Sequence, residues 1–263
     1  MSLAWQNYTE AQFQEVMDFA QEYMDFLSKG KTERRFLKLA IEKAEAAGYR
    51  NIEEIIKNKE TLHPQDKVYM NQMNKSIALM HIGNEPLEQG MNILGAHIDS
   101  PRLDLKQHPL YEEGDLAFFD THYYGGVKKY QWVTIPLAIY GVVVLKSGKV
   151  IDIEIGDKED DPVFVISDLL IHLASKQMEK KATTVITGES LNVTVGSIPL
   201  KGEKTQAVKA NILALLKEKG KSKSSEKNDT KSKYSSFGSS PTISSKKRYL
   251  NNSLQKKESK NTK

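Results

Sequence analysis

The sequence predicts an α/β protein with a helix-first layered unit, a β-rich unit attached directly behind it, and a disordered basic tail. Three observations carry this reading. The first hundred residues open with two stretches of helical periodicity and then switch to short apolar runs, the order expected of helices packed on a sheet. After Pro101 the chain becomes a series of short segments rich in β-branched and aromatic residues, separated by turn clusters. Beyond Lys219 the periodicity stops.

Phe13, Val16, Met17, Ala20, Met24 and Leu27 recur at helical spacing and place an amphipathic helix over about Glu10 to Ser28, ended by Gly30. This aromatic and Met stripe is expected to be core. Thr32 is the natural N-cap of a second helix with Phe36, Ala40, Ile41 and Ala44 on its buried face, and Gly48 stands where a C-terminal glycine belongs. Val68–Met70 and Ile77–Met80 flank the polar Asn71–Ser76 and read as two strands joined by a turn. Asn84–Gly90 is loop by composition.

The next run, from Met91 to Asp99, is apolar until it ends in His97-Ile98-Asp99 and is cut off by Ser100-Pro101. It reads as a buried strand delivering polar side chains to the rim of a sheet, where ligands collect in open α/β folds. Residues two apart on a strand point to the same side, so His97 and Asp99 can cooperate. One nitrogen of an imidazole can bind a metal while a carboxylate orients the ring. A purely structural hydrogen-bonded pair accounts for the same spacing.

Downstream, Leu116–Phe119, Thr134–Leu145, Val150–Ile155, Val163–Ile166 and Leu191–Val195 are the expected strands, with Ser147-Gly148 as a hairpin turn. Helices are expected over about Ser167 to Lys180 and over Thr205–Lys219, the latter with Val208, Ile212, Leu215 and Leu216 on one face. The expected organisation is 1–100 as one unit, 101–204 as the β-rich unit, 205–219 as a helix returning to the first unit, and 220–263 as tail.

The net charge of +4 is unevenly placed. Residues 220–263 hold eleven Lys and one Arg against three acids, a net of +9, which leaves the first 219 residues at −5. With 12 Ser and almost no aliphatics, the tail cannot bury enough apolar surface to offset chain entropy and should be disordered. No cysteine is present, so disulfides and thiolate metal sites are excluded. The N-terminus lacks a basic, then apolar, secretory pattern. The longest apolar run, the 11 residues Ile135–Leu145, is too short to span a bilayer. The expectation is a soluble, cytoplasmic protein.

The six histidines are His63, His81, His97, His108, His122 and His172, and no His-Glu-x-x-His helix, Gly-x-Ser-x-Gly elbow or phosphate loop accompanies them. His63 and His81 read as surface or capping residues, His108 as loop, and His122 as packed among aromatics. Tyr123–Trp132 interleaves aromatics with lysines. A subunit interface, where Tyr and Trp are enriched, explains this better than nucleic acid.

Gly95-Ala-His97-Ile-Asp99-Ser-Pro-Arg102-Leu-Asp104, Thr121–Trp132, Ile155-Gly-Asp-Lys158, Asp161-Pro-Val-Phe164 and Asp168–Leu173 closely resemble, in order, the aspartyl aminopeptidase/aminopeptidase I family. The resemblance runs over roughly Gln6 to Lys219, the N-terminal half of a family member. It implies a three-layer α/β metallopeptidase catalytic domain with a β-rich dimerisation domain inserted after the His-x-Asp strand, a site for two metal ions (usually zinc), and large homo-oligomers. By the same resemblance His97 is a metal ligand and Asp99 is the carboxylate that orients it. His172 is a metal ligand or, more fittingly for its place, a substrate contact in a neighbouring subunit's site. The implied reaction is metal-assisted hydrolysis of N-terminal residues from peptides.

The family's bridging carboxylate, remaining ligands and general-base glutamate lie downstream of the dimerisation domain, and no histidine follows His172 here. The expectation is therefore a truncated or frameshifted chain, inactive alone. The rivals are a non-catalytic module that dimerises through 101–204 and a polyanion binder acting through the tail.

Overall fold

Thr9 opens the first helix of the computed structural model with a reciprocal cap: Gln12 N donates to its hydroxyl, and the Gln12 side chain accepts from Thr9 N. Residues 3–145, 147–222 and 242–245 are described, and the chain divides between Ser100 and Pro101 into two units. Among the described residues no helix is long and apolar enough to cross a membrane.

In the first unit α1 (Glu10–Lys29) is followed by α2 (Glu33–Ala46), capped by Thr32 and closed by Gly48 at φ +85°. The edge-to-face pair of Phe26 and Phe36 (centroids 4.7 Å apart) and the ion pair of Lys43 with Glu22 join the two helices. Then come β1 (Arg50–Asn51), α3 (Ile52–Lys57), β2 (Lys67–Gln72) and β3 (Ser76–His81). The strands form one sheet in the order β1-β2-β3, parallel then antiparallel. The small core consists of Leu37, Ala44, Ile55, Val68 and Tyr69.

Two expectations fail in this unit. The α1 stripe is not core: Phe13, Met17, Met24 and Leu27 are all exposed, and α1 buries no residue. Nor does Met91–Asp99 form a strand. Residues 90–100 have no regular structure, and Leu94 is fully exposed. A strand needs ladder partners on at least one side, and no described strand pairs with this segment.

The second unit is built on a six-stranded sheet. β4 (Arg102–Glu113) and β5 (Leu116–Tyr124) form a long hairpin whose turn residues Gly114 and Asp115 both have positive φ, as the tightest hairpin turns require. Next come β6 (Leu137–Val144), β7 (Val150–Ile155), the short α4 (Ser175–Met178), β8 (Val193–Gly196), α5 (Ala207–Ser222) and β9 (Thr242–Ser245). The sheet order is β7-β6-β9-β4-β5-β8. Alternate residues such as Leu103 and Leu105 on β4, or Ala117 and Phe119 on β5, enter the core. Val208 and Ile212 of α5 close that core from outside. Gly196 permits the approach, since a Cβ there would lie 2.5 Å from Ile212 Cδ1.

Helix α5, which includes most of the 205–219 segment expected to return to the first unit, packs on the core of this one. Val163–Ile166 contributes two isolated bridges, Leu137 with Phe164 and Val165 with Thr194, instead of a strand. The expected helix at 167–180 reduces to a 3-10 turn at Ile171–Leu173 and to α4. Leu169, Leu170, Ile171 and Leu173 are exposed, so a longer helix would have no packed face to sustain it. The expected disorder of 220–263 lies mostly outside the described residues. Within that range Gly220–Ser222 continue α5, and Thr242–Ser245 enter the sheet.

Candidate metal-ligand site

His97 and Asp99 come together, though not by strand alternation. His97 Nδ1 lies 3.0 Å from the Asp99 carbonyl oxygen and 3.2 Å from Asp99 Oδ1. A carbonyl only accepts, so Nδ1 carries the proton and donates, and Nε2 is the nitrogen with the free lone pair. The His97 side chain is 85% exposed and that of Asp99 39% exposed, so Nε2 meets solvent. This is the tautomer and anchoring that a metal-binding histidine uses, with the second ring nitrogen fixed by a carboxylate or carbonyl.

His172 lies in the 3-10 turn Ile171–Leu173, in the other unit, and is exposed. Asp168 shapes the entry to that turn: its Oδ1 accepts from Leu169 N and from Gln177 Nε2, both at 2.8 Å. Of the remaining histidines, His63 Nδ1 stands 3.9 Å from Asp66 Oδ2. His108 adopts φ +51° at the bulge between Leu105 and Leu110, inside β4 where a loop was expected. His122 is exposed, not packed among aromatics, because its neighbours Tyr123 and Tyr124 are themselves exposed.

The donor set is short. Among the described residues no three His, Asp or Glu side chains gather into a group able to hold a metal ion. The residues present therefore fit one ligand of a metal site but not the whole of one. A dinuclear centre needs several carboxylates and histidines converging on the same space.

A polar cluster unforeseen in the sequence reading lies just downstream of Asp99. Arg102 Nε donates to Asp104 Oδ1 at 2.8 Å, with both side chains only 12% exposed. The Arg102 guanidinium stacks 3.8 Å from the Tyr124 ring centre, and Arg102 and Tyr124 are register partners on β4 and β5. The i, i+2 spacing of opposite charges on a strand was the available signal. Nearby, buried Thr121 donates to Leu191 O at 2.7 Å and its N–H donates to Asn192 Oδ1, which ties β5 to the start of β8.

The profile of the family described as Aminopeptidase I zinc metalloprotease (M18) matches residues 26–237, beyond the Lys219 at which the sequence resemblance fades. A probable M18 family aminopeptidase 1 of Clostridium acetobutylicum is 55% identical over 217 residues, covering 82% of this chain and 47% of the relative. One from Thermotoga maritima is 43% identical over 205 residues, covering 78% and 44%. The crystal structure of aminopeptidase I from Clostridium acetobutylicum superposes with a TM-score of 0.77 at 48% identity, covering 94% of this chain and 52% of that one. The M18 aminopeptidase structure from Thermotoga maritima gives 0.78 at 38% identity, covering 92% and 49%. The chain spans about half the length of the curated relatives it matches.

Proposed function

Because this chain belongs to the aminopeptidase I zinc metalloprotease (M18) family, we propose that it is the part of a peptide N-terminal hydrolase that brings one metal ligand, His97, to the active site. The observation that carries this is the anchoring of His97 Nδ1 on Asp99, with Nε2 left to solvent. In this reading Asp99 fixes the tautomer and orientation of the ring. Zinc is the expected metal. The other ligands and a general-base glutamate come from polypeptide equivalent to the half of the relatives that this chain does not span. The chain by itself is then inactive, because one histidine and its orienting carboxylate cannot hold two ions.

The second unit serves in this proposal as the dimerisation domain of a homo-oligomer. Its support is the exposed apolar run Leu169–Leu173 around His172, together with the exposed Tyr123, Tyr124 and Tyr130. His172 would then act as a substrate contact in a neighbouring subunit.

A peptidase assay on the purified chain, with aminoacyl-p-nitroanilides and added zinc or manganese, tests the catalytic part. No chelator-sensitive turnover is expected from the chain alone. Turnover should emerge when a polypeptide comprising the remaining half of the Clostridium acetobutylicum relative is added, and should be lost again with His97→Ala. Robust, chelator-sensitive turnover by the chain alone would overturn the reading of an incomplete site.

A further inference from the structure

The sheet of the second unit is joined at its middle by a strand from the far end of the chain. β4 and β6 do not pair with each other; each turns one edge toward β9, which is antiparallel to both. Leu103 and Asp104 face Ile243 and Thr242 on one side. Leu137, Ala138, Ile139 and Tyr140 face Ser245, Ser244, Ile243 and Thr242 on the other. All six receiving residues are buried, none more than 8% exposed.

A gap one strand wide in the middle of a sheet cannot stay empty. Its two edges carry rows of N–H and C=O groups that, once buried, must be paired. β4 and β6 run parallel to one another, and pairing them directly would draw the two halves of the sheet together by about 4.8 Å, the width of one strand, against a core in which Leu103 and Leu105 are packed in one cluster with Leu137 and Ile139. An inserted extended segment satisfies both edges at once, and backbone bonding makes it tolerant of side-chain identity. Nothing in the sequence of 220–263 gives Thr242–Ser245 strong periodicity, so its place is set by what receives it.

We propose that the gap between β4 and β6 is a strand-acceptor site, filled in this chain by Thr242–Ser245 of its own tail. The site takes a short extended peptide by main-chain hydrogen bonding on both sides. The basic tail is thereby fastened to the β unit through Thr242–Ser245, and the two halves of the sheet depend on this segment. This inference is independent of the catalytic reading.

Hydrogen exchange on the full chain tests it. Ile243→Pro removes an N–H and cannot sit in a central strand, so the amides of 103–104 and 137–140 should exchange roughly tenfold faster or more. Asn251→Pro, a control further along the same tail, should leave them unchanged. A synthetic peptide of residues 239–248 added to Ile243→Pro should restore the protection, and the same peptide carrying proline at 243 should not. A second measurement does not depend on that variant folding. Ala138→Cys with Ser244→Cys, a register pair, should oxidise to a disulfide within one chain. Unchanged protection in Ile243→Pro, equal loss in Asn251→Pro, or a cross-link formed only between two chains would each overturn the proposal.

Discussion

Lys219 Nζ donates to Asp161 Oδ1 at 2.8 Å, tying the end of α5 to the loop that leaves β7. The other oxygen of the same carboxylate accepts from Gly156 N at 3.0 Å and Lys158 N at 3.3 Å. One buried carboxylate thus holds both the loop and the helix that covers the core. Burial pushes the Asp161 carboxyl up, but the hydrogen bond from Lys219 and the two backbone donors outweigh it and hold the group below its ordinary value.

Asp161→Ala leaves three donors without their acceptor and should cost about 2 kcal/mol of stability in denaturant unfolding. Lys219→Ala should cost less, since its ammonium can be replaced by water. The sign with pH follows from the lowered carboxyl. The stabilisation is complete above about pH 4, the ordinary carboxylate value. It is lost as pH falls through the lower folded value. Unfolding curves of the native chain and Asp161→Ala should therefore converge in strong acid, and a gap that widened there would contradict the assignment.

Tyr69 donates its hydroxyl to Glu45 Oε1 at 2.7 Å and lies in the small core of the first unit. The bond to Glu45 and then burial push its phenol up to about 12. Tyr69→Phe should cost about 1 kcal/mol and remove a late-ionising component of an ultraviolet titration. This contribution is present below about pH 10 and is lost as the phenol ionises at higher pH. A titration identical in both proteins would count against the bond.

Gly156 adopts φ +101°, and a Cβ there would lie 3.1 Å from both Ala138 Cα and Leu137 O. Gly156→Ala adds backbone strain and a steric contact with β6 that no rotamer can relieve. A loss of about 2 kcal/mol is expected, measurable as a lower Tm. A neutral result would show that the loop can pull away from β6.

Ile93 and Leu94 are 81% and 100% exposed. Replacing both with Ser should change the stability of the chain by no more than about 0.5 kcal/mol, while lowering binding of a hydrophobic dye. If the segment were a buried strand, the same change would cost several-fold more.

Zinc titration by calorimetry should show no tight site, and His97→Ala should weaken the binding there is, because no three-ligand group exists among the described residues. A tight site that survives His97→Ala would require ligands placed elsewhere.

Much of the local structure was legible in the residues. Thr32 announces its helix because a cap is a contact across three residues. The β2–β3 and β6–β7 pairs follow from two apolar runs on either side of a turn. The His97–Asp99 pair was also legible, since only Ile98 separates its members, although the strand expected to present it is absent. The Arg102–Asp104–Tyr124 cluster was half legible: the charge spacing is in the sequence, but the ring comes from the neighbouring strand.

What the sequence determined by itself is thus what neighbours along the chain can settle: caps, turns, hairpins, and the alternation that gives each strand an apolar face. Tertiary structure decided which of those faces found a partner. The α1 stripe has the pattern of core yet stays exposed, Met91–Asp99 has the composition of a buried strand yet forms none, and Val208 and Ile212 close the core of the second sheet. The four residues Thr242–Ser245, with no pattern of their own, lie in the middle of a sheet. The reason is physical. Periodicity shows that a segment can bury one side, but burial and ladder pairing belong to two surfaces, and the second surface is chosen only when the chain has folded.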